Sequence, residues 1–235
     1  MRARRSWQHL AAAVVALGAL AACSSDRAPA DGATTIDVGA TPVAAIVREP
    51  ADPTSDAPTV LFLHGQAYSS RIWDDRGILD AVVDAGHRVV AVDLPGYGET
   101  PERTGPETDA AWLGALVDEL GGPEQVVIVS PSMSGRFSLA YLAERPADRL
   151  AGFVPVAPVG ADELDRVDGA PDIPVLVVYG EDDEAYAPER AAHLLGELGG
   201  PGRIEVVTDG SHAAYDDEPG RFTDALLSFL RNEAR

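Results

Sequence analysis

No lysine occurs among the 235 residues, so all 18 basic side chains other than histidine are arginine. Without a lysine amine there is no Ser-Lys dyad, no Schiff base and no P-loop. Positive charge is scarce as well, because 38 acidic residues bring the formal net charge to -20. A surface of that sign does not engage nucleic acid or an anionic membrane through a basic face. Cysteine is reduced to Cys23 alone, which excludes an internal disulfide. The apolar run from Leu10 to Ala22 is too short for a membrane-spanning helix, which needs about 20 residues.

What does stand at the N-terminus is informative. Arg2, Arg4 and Arg5 precede that apolar run, the layout of a secretory signal. Leu20-Ala21-Ala22-Cys23 resembles a bacterial lipobox, in which the cysteine is acylated and becomes the first mature residue. Cleavage after Ala19-Leu20-Ala21 would instead leave a soluble secreted protein. The expected organisation is a signal peptide over 1–22, a lipidated Cys23 and polar tether over 23–33, and one domain over 34–235. Either cleavage places that domain outside the cytoplasm. The only membrane contact expected is through Cys23.

Along the domain, apolar β-rich runs alternate with helical periodicity. Residues 34–38 and 43–47 read as an antiparallel opening pair. Further strands are expected at 59–63, 88–92, 126–129, 150–154, 174–179 and 204–207, with helices at 72–85, 109–120, 188–198 and 221–230. This alternation predicts an α/β fold with about eight strands, mostly parallel, and helices on both faces. Between the strands near 154 and 174 only about twenty residues intervene, too few for a helical cap domain.

Val126-Val127-Ile128-Val129 leads into Ser130-Pro131-Ser132-Met133-Ser134-Gly135, and helical spacing resumes at Phe137. A strand turning sharply into a helix with serine at the apex is the nucleophile elbow of an α/β hydrolase. The usual frame is Gly-x-Ser-x-Gly; here both glycines are serine, the next smallest polar choice. Three serines compete for the apex. Ser130 is followed by Pro131, which has no N–H to offer an oxyanion. Ser134 would place bulky Arg136 where only a small group fits. Ser132 satisfies both demands, with the Met133 N–H behind it. A serine-rich helix cap without chemistry is the alternative.

A serine hydroxyl needs a base, and the base needs an orienting acid, in the chain order Ser, Asp or Glu, His. Gly180-Glu181-Asp182-Asp183 follows one strand, and Asp209-Gly210-Ser211-His212 follows the next. Both therefore leave carboxyl ends of strands, where open α/β sheets bind ligands. His212 is the expected base. Asp183, three residues past Gly180, is the expected acid, with Asp182 the competitor. The second oxyanion donor is expected from the loop His64-Gly65-Gln66, through the Gln66 N–H. His64 is read as shaping that loop, and His193 as a surface or packed residue. Gly96-Tyr97-Gly98 lacks the third glycine of a dinucleotide loop. The pairs Asp74-Asp75 and Asp216-Asp217 have no matching histidines and read as surface charge, so neither metal nor cofactor is expected.

Taken together, His64-Gly65-Gln66-Ala67-Tyr68-Ser69-Ser70, Asp93-Leu94-Pro95-Gly96-Tyr97-Gly98, the Ser-Pro-Ser-x-Ser-Gly elbow and Gly152-Phe153-Val154-Pro155-Val156-Ala157-Pro158 resemble the alpha/beta hydrolase domain-containing protein 14 family. The likeness runs from about Val60 to Leu230. It implies a lidless α/β hydrolase with a triad on Ser132, Asp183 and His212, acting on small acyl groups. Members cleave activated acetyl esters, and one animal member transfers acetyl from lysine to coenzyme A. Carried to this chain, the expectation is an acyl hydrolase of small esters or amides. A binding protein that has kept the pocket and lost turnover is the alternative, and a lyase or haloperoxidase-like enzyme on the same triad is another.

Overall fold

The computed structural model describes residues 30–53, 56–161 and 172–234. The expected signal peptide, Cys23 and most of the tether lie outside the described residues. Eight strands form one sheet: β1 (Ala33–Val38), β2 (Thr41–Arg48), β3 (Thr59–Phe62), β4 (Val89–Val92), β5 (Val126–Pro131), β6 (Gly152–Val156), β7 (Ile173–Gly180) and β8 (Gly199–Val207). Their order is β1-β2-β4-β3-β5-β6-β7-β8. β1 and β2 run antiparallel, as does β2 against β4, and every later pairing is parallel.

The central strands β3 to β6 are buried at every position because both faces are covered, and most of their residues are apolar. Leu61, Val90 and Ile128 point into one layer with helices α3 (Asp109–Glu119), α4 (Gly135–Glu144) and α5 (Pro188–Leu198). Val60, Phe62, Val89 and Val127 point the other way, against α1 (Arg71–Asp75), α2 (Ile78–Asp84) and α7 (Pro219–Asn232). In the second layer the fully buried Trp73 ring lies 5.0 Å from Phe62 and 4.6 Å from Tyr215. Its indole N–H donates to the Leu63 carbonyl at 2.8 Å. Truncating such a ring to alanine costs about 3–5 kcal/mol.

Four boundaries differ from the sequence reading. The helix expected over 72–85 is two helices, because Gly77 adopts φ 70° and breaks the ladder between α1 and α2. β6 begins two residues later than expected: pairing with β5 sets Val127 opposite Gly152 and Pro131 opposite Val156. β8 starts directly at the end of α5 rather than at 204. A short helix α6 (Ala214–Asp217), absent from the sequence reading, follows His212.

Candidate active site

β5 ends at Pro131, and a single 3-10 turn over Ser132–Ser134 leads into α4. Ser132 sits at φ 48°, a region that a residue with a Cβ enters at a cost of order 1–3 kcal/mol. The surroundings hold it there. Ser130 and Ser134, at the positions where glycines are usual, are fully buried with their hydroxyls 3.0 Å apart. Ser138 joins Ser130 at 2.7 Å, and the Ser134 hydroxyl donates to the Pro131 carbonyl at 2.7 Å. The crowding that glycine usually relieves is met instead by a hydrogen-bonded cluster of hydroxyls.

Close approach moves one residue downstream, to Gly135. A Cβ there would come 2.2 Å from the Val159 carbonyl oxygen, so no larger residue fits. The Val159 N–H in turn donates to the Ser132 carbonyl at 3.0 Å. The loop after β6 is thereby bonded to the elbow.

The structure brings together the three residues singled out for nucleophile, base and acid. His212 Nε2 lies 2.9 Å from Ser132 Oγ, and His212 Nδ1 lies 3.1 Å from Asp183 Oδ2. The second Asp183 oxygen accepts the Ala185 N–H at 2.8 Å. Asp183 is buried, with 3% of its side chain exposed, whereas the His212 side chain is 48% exposed. An acid sheltered behind an accessible imidazole is the arrangement that orients a base. Asp182 is exposed, and its N–H is bonded to the Gly210 carbonyl at 2.9 Å. The acid loop and the histidine loop are tied together there, with Asp183 rather than Asp182 reaching the ring.

His64 is fully buried at the end of β3. Its Nε2 accepts the Leu94 N–H at 2.9 Å, so the proton sits on Nδ1, which donates to the Gly65 carbonyl at 2.9 Å. Burial pushes the imidazole below its usual range and keeps it neutral. This fixes the peptide joining Gly65 to Gln66; Gln66 is an exposed residue whose backbone N–H makes no hydrogen bond among the described residues. A side chain on Gly65 would lie 3.8 Å from Ser132 Cβ, which puts this loop beside the elbow. Met133, the other expected donor, is the middle residue of the elbow turn and is buried.

The pair Asp216-Asp217, read as surface charge, does positional work. Asp217 accepts the backbone N–H of Ser211 at 2.8 Å and its hydroxyl at 2.5 Å, holding the loop that carries His212. Asp216 accepts the Tyr68 hydroxyl at 2.9 Å and pairs with Arg76, joining α6 to the His64–Tyr68 loop. Burial and then this hydrogen bond push the Tyr68 hydroxyl up to about 12. Only the fold, which brings residues about 140 positions apart together, reveals this role. Asp74 likewise pairs with Arg48 at 2.6 Å.

Beside His212 opens a cleft of about 450 Å³, walled by Ala157, Val159, Tyr179 and Ala185, with Arg190 and His193 at its side. His193, read as a surface or packed residue, is exposed and lines this cleft. Among the described residues no group of three or more His, Cys, Asp or Glu is placed to hold a metal ion.

Comparison with known proteins agrees with the fold. A family model described as the alpha/beta hydrolase fold matches residues 58–169. The human protein named "Putative protein-lysine deacylase ABHD14B" is 37% identical over 181 residues, spanning 74% of this chain and 83% of its own. Protein ABHD14A of Danio rerio is 37% identical over 176 residues, covering 73% of this chain and 63% of its own. The crystal structure of carboxylesterase CesB from Bacillus subtilis superposes with a TM-score of 0.65 at 19% identity, over 84% of this chain and 90% of that one. With that similarity covering most of the domain, and the fold in agreement, the chain belongs to the ABHD14 family of α/β hydrolases.

Proposed function

We propose that the protein is a serine hydrolase of small acyl esters or amides, with Ser132 as nucleophile, His212 as base and Asp183 as orienting acid. The observation that carries this reading is the continuous hydrogen-bonded chain from Ser132 Oγ through both ring nitrogens to a buried carboxylate. As Ser132 Oγ attacks the acyl carbon, His212 Nε2 takes the hydroxyl proton and Asp183 stabilises the imidazolium through Nδ1–H. The backbone N–H groups of Met133 and Gln66 hold the oxyanion of the tetrahedral intermediate. The imidazolium then protonates the departing alcohol or amine, leaving an acyl-serine. Water, deprotonated by the same ring, releases the carboxylic acid and restores the serine. Activity on acyl groups is supported by relatives and fold neighbours whose names carry deacylation and ester hydrolysis.

Fluorophosphonate labelling and turnover of 4-nitrophenyl acetate test the reading. Ser132→Ala should abolish labelling and lower kcat by about three orders of magnitude or more. Failure of the wild-type serine to label would point to a binding protein that has kept the pocket alone.

We place the domain outside the cytoplasm, anchored by an acylated Cys23. Processing should be blocked by globomycin, and Cys23→Ala should move the protein to the soluble fraction. A Cys23→Ala chain that stays with the membrane would overturn the anchor.

A further inference from the structure

One arginine beside the site has no role in the proposed mechanism. Arg190 lies in the first turn of α5 and reaches the cleft beside His212. In a chain where acids outnumber arginines two to one, it has no carboxylate within 4.0 Å among the described residues. Arg48, Arg76, Arg88, Arg103, Arg136 and Arg145 each have one. Its position is unfavourable for the helix, since the N-terminal end carries partial positive charge and prefers acids. α5 also lacks a side-chain cap. Neither helix stability nor ion pairing accounts for an arginine here.

The walls around it define what would fill the space. Val159 is 46% exposed, an uncommon exposure for a large aliphatic side chain, and it faces the cleft with Ala157 and Ala185. Tyr179, 6% exposed, is close enough to Arg190 for the guanidinium to offset part of the rise that burial and Asp183 impose on its hydroxyl. The cleft thus has an apolar body and one cationic corner. Its side of the site follows from chemistry. His212 lines it, whereas neither expected oxyanion donor does. The imidazolium must hand its proton to the leaving group, so the departing part of the substrate lies against His212 and occupies this cleft.

We propose that Arg190 binds a carboxylate on the leaving group, making the preferred substrate a small acyl ester or amide whose alcohol or amine part is an apolar acid. This rests on the serine hydrolase reading above. Arg190 is a specificity-determining residue here, since it touches the part of the substrate that departs rather than the reacting atoms. The guanidinium fork suits a planar carboxylate, and the short apolar wall suits an aromatic or branched carbon skeleton.

Two esters that differ only in charge test it: 4-acetoxybenzoate, which yields acetate and 4-hydroxybenzoate, and its neutral isostere 4-acetoxybenzamide. The readout is the ratio of their kcat/KM values, acid over amide, so that intrinsic reactivity cancels between variants. Arg190→Gln should lower that ratio about two- to fivefold, chiefly through KM for the acid, as expected of an exposed charge pair. Arg190→Lys should retain part of the preference, and Arg190→Glu should depress the ratio further. A ratio unmoved by Arg190→Gln or Arg190→Glu, in protein whose serine still takes the fluorophosphonate, overturns the assignment and leaves the hydrolase reading intact. Loss of labelling in the wild-type protein overturns the hydrolase reading itself.

Discussion

The hydroxyls of Ser130 and Ser134 meet at 3.0 Å directly behind the strained Ser132. Each occupies a site where a glycine would usually relieve crowding, and each is the other's partner. Removing one should cost about 1 kcal/mol, because the survivor keeps a second partner, Ser138 for Ser130 and the Pro131 carbonyl for Ser134. Removing both should cost less than the sum of the two single changes. Urea unfolding of Ser130→Ala, Ser134→Ala and the double variant measures this, with an expected coupling of about 1 kcal/mol. Strict additivity would mean that the two serines act independently.

Asp183 and Asp182 are adjacent, yet only one reaches the imidazole. Asp183→Asn should lower kcat for 4-nitrophenyl acetate by about a thousandfold or more, through the wrong ring tautomer. Asp182→Asn should change it by no more than about twofold, since the Asp182 contact seen here is made by its backbone N–H. Equal losses would mean that the acid loop rearranges in solution.

His64 supplies a pH dependence whose sign follows from its environment. Burial favours the neutral ring, so its folded pKa lies below the unfolded value of about 6.5. Its contribution to stability is therefore fully present above pH 6.5 and is lost as pH falls below that value toward the folded pKa. Protonation also removes the acceptor for the Leu94 N–H. Thermal unfolding of wild type should weaken between pH 6.5 and 5.5, and His64→Gln should show a flatter profile over that interval. The same variant should lower kcat more than it raises KM, because the Gln66 N–H loses its fixed direction.

Asp217 acts on His212 through the Ser211 loop. Asp217→Ala should reduce kcat by several-fold to about tenfold with little change in KM, because the base is misplaced while the cleft is untouched. Asp217→Asn, which retains an acceptor oxygen, should recover much of the loss. Equal effects on kcat and KM would indicate general disorder of α6 instead.

The strands and the order serine, acid, histidine were legible because each has a short-range signature. A run such as Val126–Val129 declares a strand covered on both faces, and Pro131 alone eliminates one of three serines. His64 was read as shaping its loop, and its two bonds do so. What escaped depends on contacts between distant residues. Nothing local distinguishes Leu150-Ala151 from the strand that follows; the pairing with β5 decides where β6 begins. Gly77 inside an apolar helical pattern is compatible with a continuous helix until packing of Trp73 and Ile78 fixes both segments. Asp216 looks solvated because its partners Tyr68 and Arg76 are assembled only by the fold, and Asp217 meets Ser211 only where the unread helix α6 turns the chain back.

The bond from the Val159 N–H to the Ser132 carbonyl, with Gly135 pressed against the same residue, makes one wall of the cleft continuous with the backbone of Ser132. That wall cannot be remodelled without disturbing Ser132. On the opposite side, Arg190 and His193 belong to α5, a helix that carries none of Ser132, Asp183 and His212. Altered substrate preference, whether selected or engineered, should therefore accumulate at Arg190 and His193 and leave Ala157 to Gly160 unchanged.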